Sequence, residues 1–314
     1  MKEIIERKYT PLEIAGICDM AQDDPDALVL RSEQYYHHQV DWAMLHVKKN
    51  MPNYKFVLLC GPSASGKTTT AHKLEQSLIN NGISASVISM DNFYKGIASY
   101  PLLPSGEPDM ESVKALDIDL LNECFSQLLR TGRSLLPVFD FAKQEQRLAE
   151  YRVEIGDNDV LIMEGIHALN PEVLKDIPTQ NILRIYASVR SKFVCGDEKI
   201  LIPQDIRLMR RMVRDNNFRN YPPLSTLRSW ENVLAGERKN INPYRDDVDL
   251  KMDTTIDYEV CVWRDMLKNQ LEITDPGQYA EYPAIDRIFR GLVRFPRVDA
   301  AKIPKDSLLR EFIG

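Results

Sequence analysis

The run Gly61-Pro62-Ser63-Ala64-Ser65-Gly66-Lys67-Thr68 follows the apolar segment Phe56 to Cys60 and precedes a helical pattern from Thr68 to Asn81. It satisfies G-x-x-x-x-G-K-[ST] at each fixed position, and it does so between a strand and a helix, where that pattern has a physical meaning. Gly61 and Gly66 let the chain turn so that successive backbone N–H groups face one anion at the positive end of the following helix. Lys67 adds a point charge, and the Thr68 hydroxyl suits a divalent cation. Gly61, Ser63, Ala64, Ser65, Gly66, Lys67, Thr68 and Thr69 are therefore read as contacts to the phosphates of a nucleoside triphosphate, with Thr68 also a ligand to Mg²⁺.

A phosphate loop of this kind requires a strand–turn–helix unit, and the rest of the chain supplies partners for it. Further short apolar runs at Ala85 to Met90, Val160 to Met163 and Ile182 to Ala187 alternate with amphipathic stretches. That alternation predicts βαβ units, so the fold class expected is α/β, a P-loop NTPase with a mostly parallel sheet flanked by helices. Helices are expected over Thr68 to Asn81, closed by Gly82, over Ala115 to Leu129, and near the end over Tyr258 to Leu271 and Tyr279 to Leu292, with a short terminal element from Leu308 to Ile313.

Residues 1–50 read as an N-terminal helical extension in which Tyr36, Val40, Met44 and Val47 share one face. Residues 51–314 read as the P-loop domain. Within it, a basic helical stretch after Pro203 leads into the loop-rich Asn216 to Asp249, which carries Pro222, Pro223, Gly236 and Pro243. A long segment of weak periodicity inside a domain is usually functional or mobile. Residues 204–250 are accordingly expected to form a lid.

With 44% apolar and 27% charged residues the chain can build a core, and its formal charge of -6 gives no global pull toward nucleic acid or an anionic membrane. Cys18, Cys60, Cys124, Cys195 and Cys261 are scattered, without metal-ligand or disulfide spacing. A cytoplasmic location is expected, with no nucleic-acid or membrane partner; self-association is left open.

A phosphate loop alone does not separate a kinase from a GTPase, a motor or a sensor. Asp91 follows the apolar run that ends at Met90, where a carboxylate at the carboxyl end of a strand can accept the proton of an attacking hydroxyl or can simply cap the turn. Glu164 ends the apolar run Val160 to Met163 and precedes Gly165, the layout of a carboxylate that reaches Mg²⁺. His167 beside it reads as structural. Arg207, Arg210, Arg211 and Arg214 recur at three, one and three, so three of them share a helical stripe. Such a stripe is either solvated or closes on phosphates as charge develops there.

Taken together these segments resemble the phosphoribulokinase/uridine kinase family, whose pattern joins the GxxxSGKT loop to D-x-F-Y, P-x-x-D-F, E-G-I and R-L-x-R-R-x-x-R-D. Here those motifs are Gly61 to Thr69, Asp91 to Tyr94, Pro137 to Phe141, Glu164 to Ile166 and Arg207 to Asp215. The resemblance runs from about Phe56 onward and is closest to a bacterial subgroup of uridine kinase-like nucleoside kinases. It implies an ATP-dependent kinase with ATP and Mg²⁺ as cofactors and a small-molecule acceptor, a nucleoside and first of all uridine.

By the same resemblance Asp91 is the general base, Glu164 the magnesium carboxylate, and Lys67, Arg210 and Arg214 serve the transferring phosphates. Asp109 holds ribose hydroxyls, and Tyr94, Phe139, Arg147 and Arg207 stand near the acceptor. The family's pyrimidine readers, a tyrosine and a histidine in P-x-Y-D-F-x-x-H-x-R, are replaced here by Phe139 and by Ala142 to Arg147, which lack the histidine. That departure also admits another sugar or small alcohol as acceptor, and a nucleotide-responsive regulatory module is the reading from another class.

Overall fold

A computed structural model describes residues 11–314 apart from 52, 141–142, 157, 174–181, 273–278 and 280. The chain opens with a short strand β1 (Leu12–Glu13) and helices α1 (Ile14–Asp23) and α2 (Pro25–Asn50). The phosphate-loop unit follows as β2 (Phe56–Cys60) and α3 (Lys67–Asn80), then β3 (Ala85–Ser89), α4 (Ile118–Thr131), and the strands β4 (Arg133–Asp140) and β5 (Glu145–Glu154). Next come β6 (Val160–Gly165), β7 (Ile182–Ser188), β8 (Phe193–Cys195) and β9 (Glu198–Leu201). The last third holds α5 (Pro203–Phe218), α6 (Pro223–Asn240), β10 (Leu250–Asp253), α7 (Glu259–Glu272), α8 (Pro283–Leu292) and α9 (Arg310–Ile313).

Five strands form one parallel sheet in the order β10-β7-β2-β6-β3. Being covered on both faces, its central strands are continuously apolar rather than alternating: Phe56 to Cys60 and Val160 to Met163 are all buried. Alternate residues feed two cores. Val57 and Leu59 join Ala71 and Leu74 of α3, while Phe56 and Leu58 face Leu121, Phe125 and Leu128 of α4. Gly132 ends α4 in the left-handed conformation that a Cβ would resist, its N–H bonded to the Leu128 carbonyl. The strand and helix runs read from the sequence match these elements to within a few residues, and the fold is the α/β P-loop architecture.

Helix α2 is built into this body. Tyr36, Val40, Met44 and Val47 are all buried in the core that Val57 and Leu59 enter. Tyr36 Oη lies 2.7 Å from Thr70 Oγ1 on α3. Gln39 pairs twice with the backbone of Asp253 on the edge strand β10, at 2.9 and 2.8 Å. The helix is thus fastened both to the phosphate-loop helix and to the sheet.

Residues 216–249, read as loop-rich, contain the eighteen-residue helix α6. Its prolines do not break it, because Pro222 is the N-cap and Pro223 the first helical residue, where a missing N–H costs nothing. Gly236 sits inside the helix for a packing reason: a Cβ there would stand 2.2 Å from Glu111 Cβ. The basic stretch is α5, and it is no free flap, since Ile206, Leu208, Met209, Met212 and Val213 are buried. The segment Pro137 to Phe141, read only as a motif, lies mostly on β4 of an antiparallel hairpin with β5, its Phe141 outside the described residues.

Candidate active site

β2 runs straight into the loop, and the loop into α3. Gly61 presses on β7, where a Cβ would stand 2.0 Å from the Ala187 carbonyl oxygen and 2.6 Å from Ser65 Oγ. Gly66 has φ +80°, and a Cβ there would meet Leu308 at 2.6 Å. Ala64 also adopts a positive φ of 58°, a strained backbone that surrounding structure must enforce. Ser65 Oγ is buried without a partner among the described residues, a costly state that a bound oxyanion relieves. The tight turn, the orphaned hydroxyl and the helix N-terminus fit a phosphate chain. Gly61→Ala should push the loop off β7 and raise the ATP dissociation constant by about tenfold or more in calorimetry, with the far-ultraviolet circular dichroism retained.

Parallel register brings the carboxylates to the same end of the sheet. Glu164 lies opposite Leu59 on one side and Ser89 on the other. It is 1% exposed, and accepts hydrogen bonds from Ser89 Oγ at 2.6 Å and Thr68 Oγ1 at 3.3 Å. Burial pushes its carboxyl above the usual range, Lys67 opposes this and Asp91 adds to it. Lys67, Asp91 and Glu164 therefore share one electrostatic neighbourhood. Among the described residues no group of three or more His, Cys, Asp or Glu could hold a metal. A cation at Thr68 and Glu164 would complete its oxygen shell from phosphate and water, as Mg²⁺ does.

Asp91 lies in the turn Met90–Phe93 just past β3. The capping role that its position allowed is filled by Ser89, whose hydroxyl accepts from the Asp91 N–H. The Asp91 side chain is not needed as the cap of this turn.

The arginine stripe divides. Arg207 Nε donates to the Ser63 carbonyl at 2.9 Å, pairs with Glu237 at 2.8 Å and lies over the Trp230 ring. Arg211 donates to Ser63 Oγ at 2.8 Å. Arg214 pairs with the buried Asp215, which also holds Arg211 and Arg219. The expectation that Arg210 serves the phosphates is corrected: it is wholly buried, bonded to Glu259 at 2.7 and 3.0 Å and to the Thr254 carbonyl at 2.6 Å, beneath the Phe312 ring. Spacing could not distinguish Arg210 from Arg211, because the carboxylate that draws Arg210 inward is 49 residues away.

The Tyr94 ring centroid lies 6.0 Å from that of Tyr100 and 6.0 Å from that of Phe139, so the three form an aromatic group. Asp109 Oδ1 accepts from the Glu111 N–H, an Asx turn that fixes the next residues. A cavity of about 400 Å³ is walled by Asp109, Glu111, Arg211, Tyr221 and Arg228. Burial pushes the Glu111 carboxyl up while Arg211, Lys67 and Arg207 pull it down, so it sits in the field of the phosphate-loop cations. Neither Glu111 nor Arg211 was assigned a role from the sequence; the one available signal for Glu111 was its place two residues after Asp109. Arg147 is exposed on β5, opposite Val138.

His167 is 1% exposed, with both ring nitrogens lacking a partner among the described residues, and burial followed by Lys67 holds its pKa down to about 4. An unfolded histidine binds a proton below about 6.5 whereas this one does not, so stability should fall as the pH drops from about 6.5 to about 4. The loss should approach about 3 kcal/mol and shrink in His167→Gln, as read from urea melts across that range.

The Phosphoribulokinase / Uridine kinase family profile matches residues 56–260, well over half of the chain. The chain belongs to that family and is an ATP-dependent kinase. It is 29% identical to the uridine kinase of Ureaplasma urealyticum serovar 10 over 192 residues, 60% of this chain and 79% of that protein. It is 28% identical to the chloroplastic uridine/cytidine kinase of Arabidopsis thaliana over 198 residues, 62% of this chain and 35% of that one. Among solved structures, a provisionally assigned fructose transport system kinase from Silicibacter sp. TM1040 has the same fold, with a TM-score of 0.51 at 21% identity. It is matched over 98% of its length and 68% of this chain. Among the described residues no helix is long and apolar enough to cross a membrane.

Proposed function

We propose that this protein transfers the γ-phosphoryl group of ATP to the 5′-hydroxyl of a nucleoside, uridine being the first acceptor to test, in the cytoplasm. The observation that carries the reading is the convergence of Lys67, Glu164 and Asp91 at one end of the sheet, around a loop shaped for phosphates. In this reading Gly61 and Ser63 to Thr69 hold the phosphate chain. Thr68 and Glu164 hold Mg²⁺, which when bound neutralises charge on the phosphate oxygens. Asp91 takes the proton as the acceptor oxygen forms its bond to the γ-phosphorus and the bond to the β-phosphate oxygen breaks, releasing ADP. Lys67, Arg211 and Arg214 stabilise the charge that spreads over the transferring group.

Asp109 binds hydroxyls of the acceptor sugar, and Tyr94 and Phe139 offer it an aromatic wall. Arg147 on the hairpin is assigned to the acceptor, as is Arg207, which braces Ser63 of the phosphate loop. The similarity to uridine kinases supports a nucleoside. A second reading is favoured by one observation: Arg211 and Arg228 both line the acceptor cavity, which suits an acceptor that carries an anionic group, such as a sugar phosphate. Measuring ADP release with a panel of nucleosides, sugar phosphates and small alcohols decides between them. Turnover with sugar phosphates and none with nucleosides would overturn the first reading.

A further inference from the structure

A cavity of about 350 Å³ opens where β7 ends and meets the phosphate loop only at Pro62. The alternation of β7 sets the side on which it lies. Ile185 and Ala187 enter the core that Ala71 and Leu74 of α3 share, whereas Tyr186 turns the other way, into the core of Phe56 and Leu58. Ser188 and Arg190 follow Tyr186 at steps of two and line the cavity with it. Lys251 of β10, another wall residue, stands opposite Tyr186 in the strand register. Apart from Arg207, no residue assigned above to the phosphates, to Mg²⁺ or to the acceptor lines this cavity.

Its walls carry donors that the fold itself does not use. Tyr186 is 7% exposed and Ser188 8%, yet neither hydroxyl has a hydrogen-bond partner among the described residues. Arg207 Nη2 is buried and likewise unpartnered there. Burial pushes the Tyr186 hydroxyl pKa up, Cys60 and Glu237 add to this, and Arg207 and Arg245 oppose it, so the hydroxyl stands in the field of the charges that wall the cavity. A buried donor without an acceptor is costly, and a ligand oxygen removes that cost.

The balance of charge specifies the ligand. Arg190, Arg207, Arg245 and Lys251 line the cavity against the carboxylates of Glu237 and Asp246. Both carboxylates are already engaged, Glu237 by Arg207 at 2.8 Å and Asp246 by Lys251 at 2.6 Å. The surplus is cationic, and cations set among hydroxyl donors are the groups that bind phosphate oxygens. The volume lies near the lower end of the range of about 300 to 1,000 Å³ usual for small-molecule sites, room for a phosphate with a small organic group.

We propose that this cavity is a second binding site, for a small phosphate-bearing molecule, in which Lys251, Arg190 and the hydroxyls of Tyr186 and Ser188 hold the phosphate and Arg207 carries its presence to the phosphate loop. Arg207 joins the two places: it lines the cavity, and its Nε donates to the Ser63 carbonyl at 2.9 Å. An anion in the cavity draws Arg207 toward itself and sets negative charge beside the triphosphate, so the two ligands weaken each other. The proposal is independent of which acceptor is phosphorylated and rests only on the loop holding a triphosphate.

The test is calorimetry of the full chain, first with Mg²⁺ and the ATP analogue AMP-PNP, which checks the loop by itself. Ribose 5-phosphate and inorganic phosphate are then each titrated into protein saturated with AMP-PNP. Tighter binding of ribose 5-phosphate marks an ester as the ligand; equal or tighter binding of phosphate marks the free anion. Lys251→Ala and Arg190→Ala should each weaken this binding about tenfold and Tyr186→Phe about fivefold, while Arg228→Ala, in the acceptor cavity, leaves it within about twofold. Retained AMP-PNP binding shows that each variant is folded. Saturating ribose 5-phosphate should raise the AMP-PNP dissociation constant of the wild type at least about threefold, and the same concentration should leave that of Lys251→Ala within about twofold, which separates this site from competition at the loop. No binding of either probe, or binding that Lys251→Ala and Arg190→Ala leave unchanged, overturns the site. An AMP-PNP constant that does not move overturns the link through Arg207. If AMP-PNP itself does not bind, it is the phosphate-loop reading that fails, and the link with it.

Discussion

Asp91→Asn should lower kcat by about two to four orders of magnitude while leaving ATP binding unchanged. The amide keeps the size of the side chain and its place in the turn after β3, where Ser89 supplies the cap. What it removes is the basicity of the carboxylate, since an amide oxygen can accept a hydrogen bond but cannot take the acceptor's proton. Because that proton moves as the oxygen attacks, the loss belongs in kcat, and the dissociation constant for ATP measured without acceptor should not move. The substitution also takes one negative charge away from Glu164, whose carboxyl Asp91 helps to hold high. ATP affinity should therefore not fall. A variant with near wild-type turnover removes Asp91 from the role of base.

The second large effect concerns the interior. Glu259→Ala should destabilise the fold by about 3 to 5 kcal/mol, because it leaves the Arg210 guanidinium buried without its carboxylate. Both partners are 0% exposed, so solvent cannot take over. Replacing both residues with apolar side chains of similar volume should recover most of that loss, since a buried pair is worth little more than good packing. Urea unfolding of the single and double variants measures it. Arg210 touches Thr254, just after β10, and the ring of Phe312 near the C-terminus, so the pair joins α5, α7 and α9.

That pair also illustrates where reading a sequence stops. The phosphate loop, its strand and helix, and the carboxylate ending β6 were legible because each is local: a fixed spacing beside a continuous apolar run. Asp91 was legible as a candidate, but its alternative use as a cap was decided only by Ser89, two residues away in sequence and adjacent in space. Arg210 and Arg211 are neighbours on a helix, and which one turns inward depends on Glu259, far along the chain. The helix α6 was missed because its prolines sit at the start, where they are harmless. Its glycine, which looks like a breaker, makes room for Glu111. Nonlocal packing of this kind leaves no periodic trace. The role of α2 follows the same rule: its apolar face was visible, but not its ties to Thr70 and Asp253.

The most direct test of the account is a product analysis. With ATP, Mg²⁺ and uridine, the purified protein should yield ADP and uridine 5′-monophosphate in equal amounts by mass spectrometry, and Asp91→Asn should yield neither at a comparable rate. Binding of ATP with no phosphorylated product from uridine or any other nucleoside would contradict the central claim.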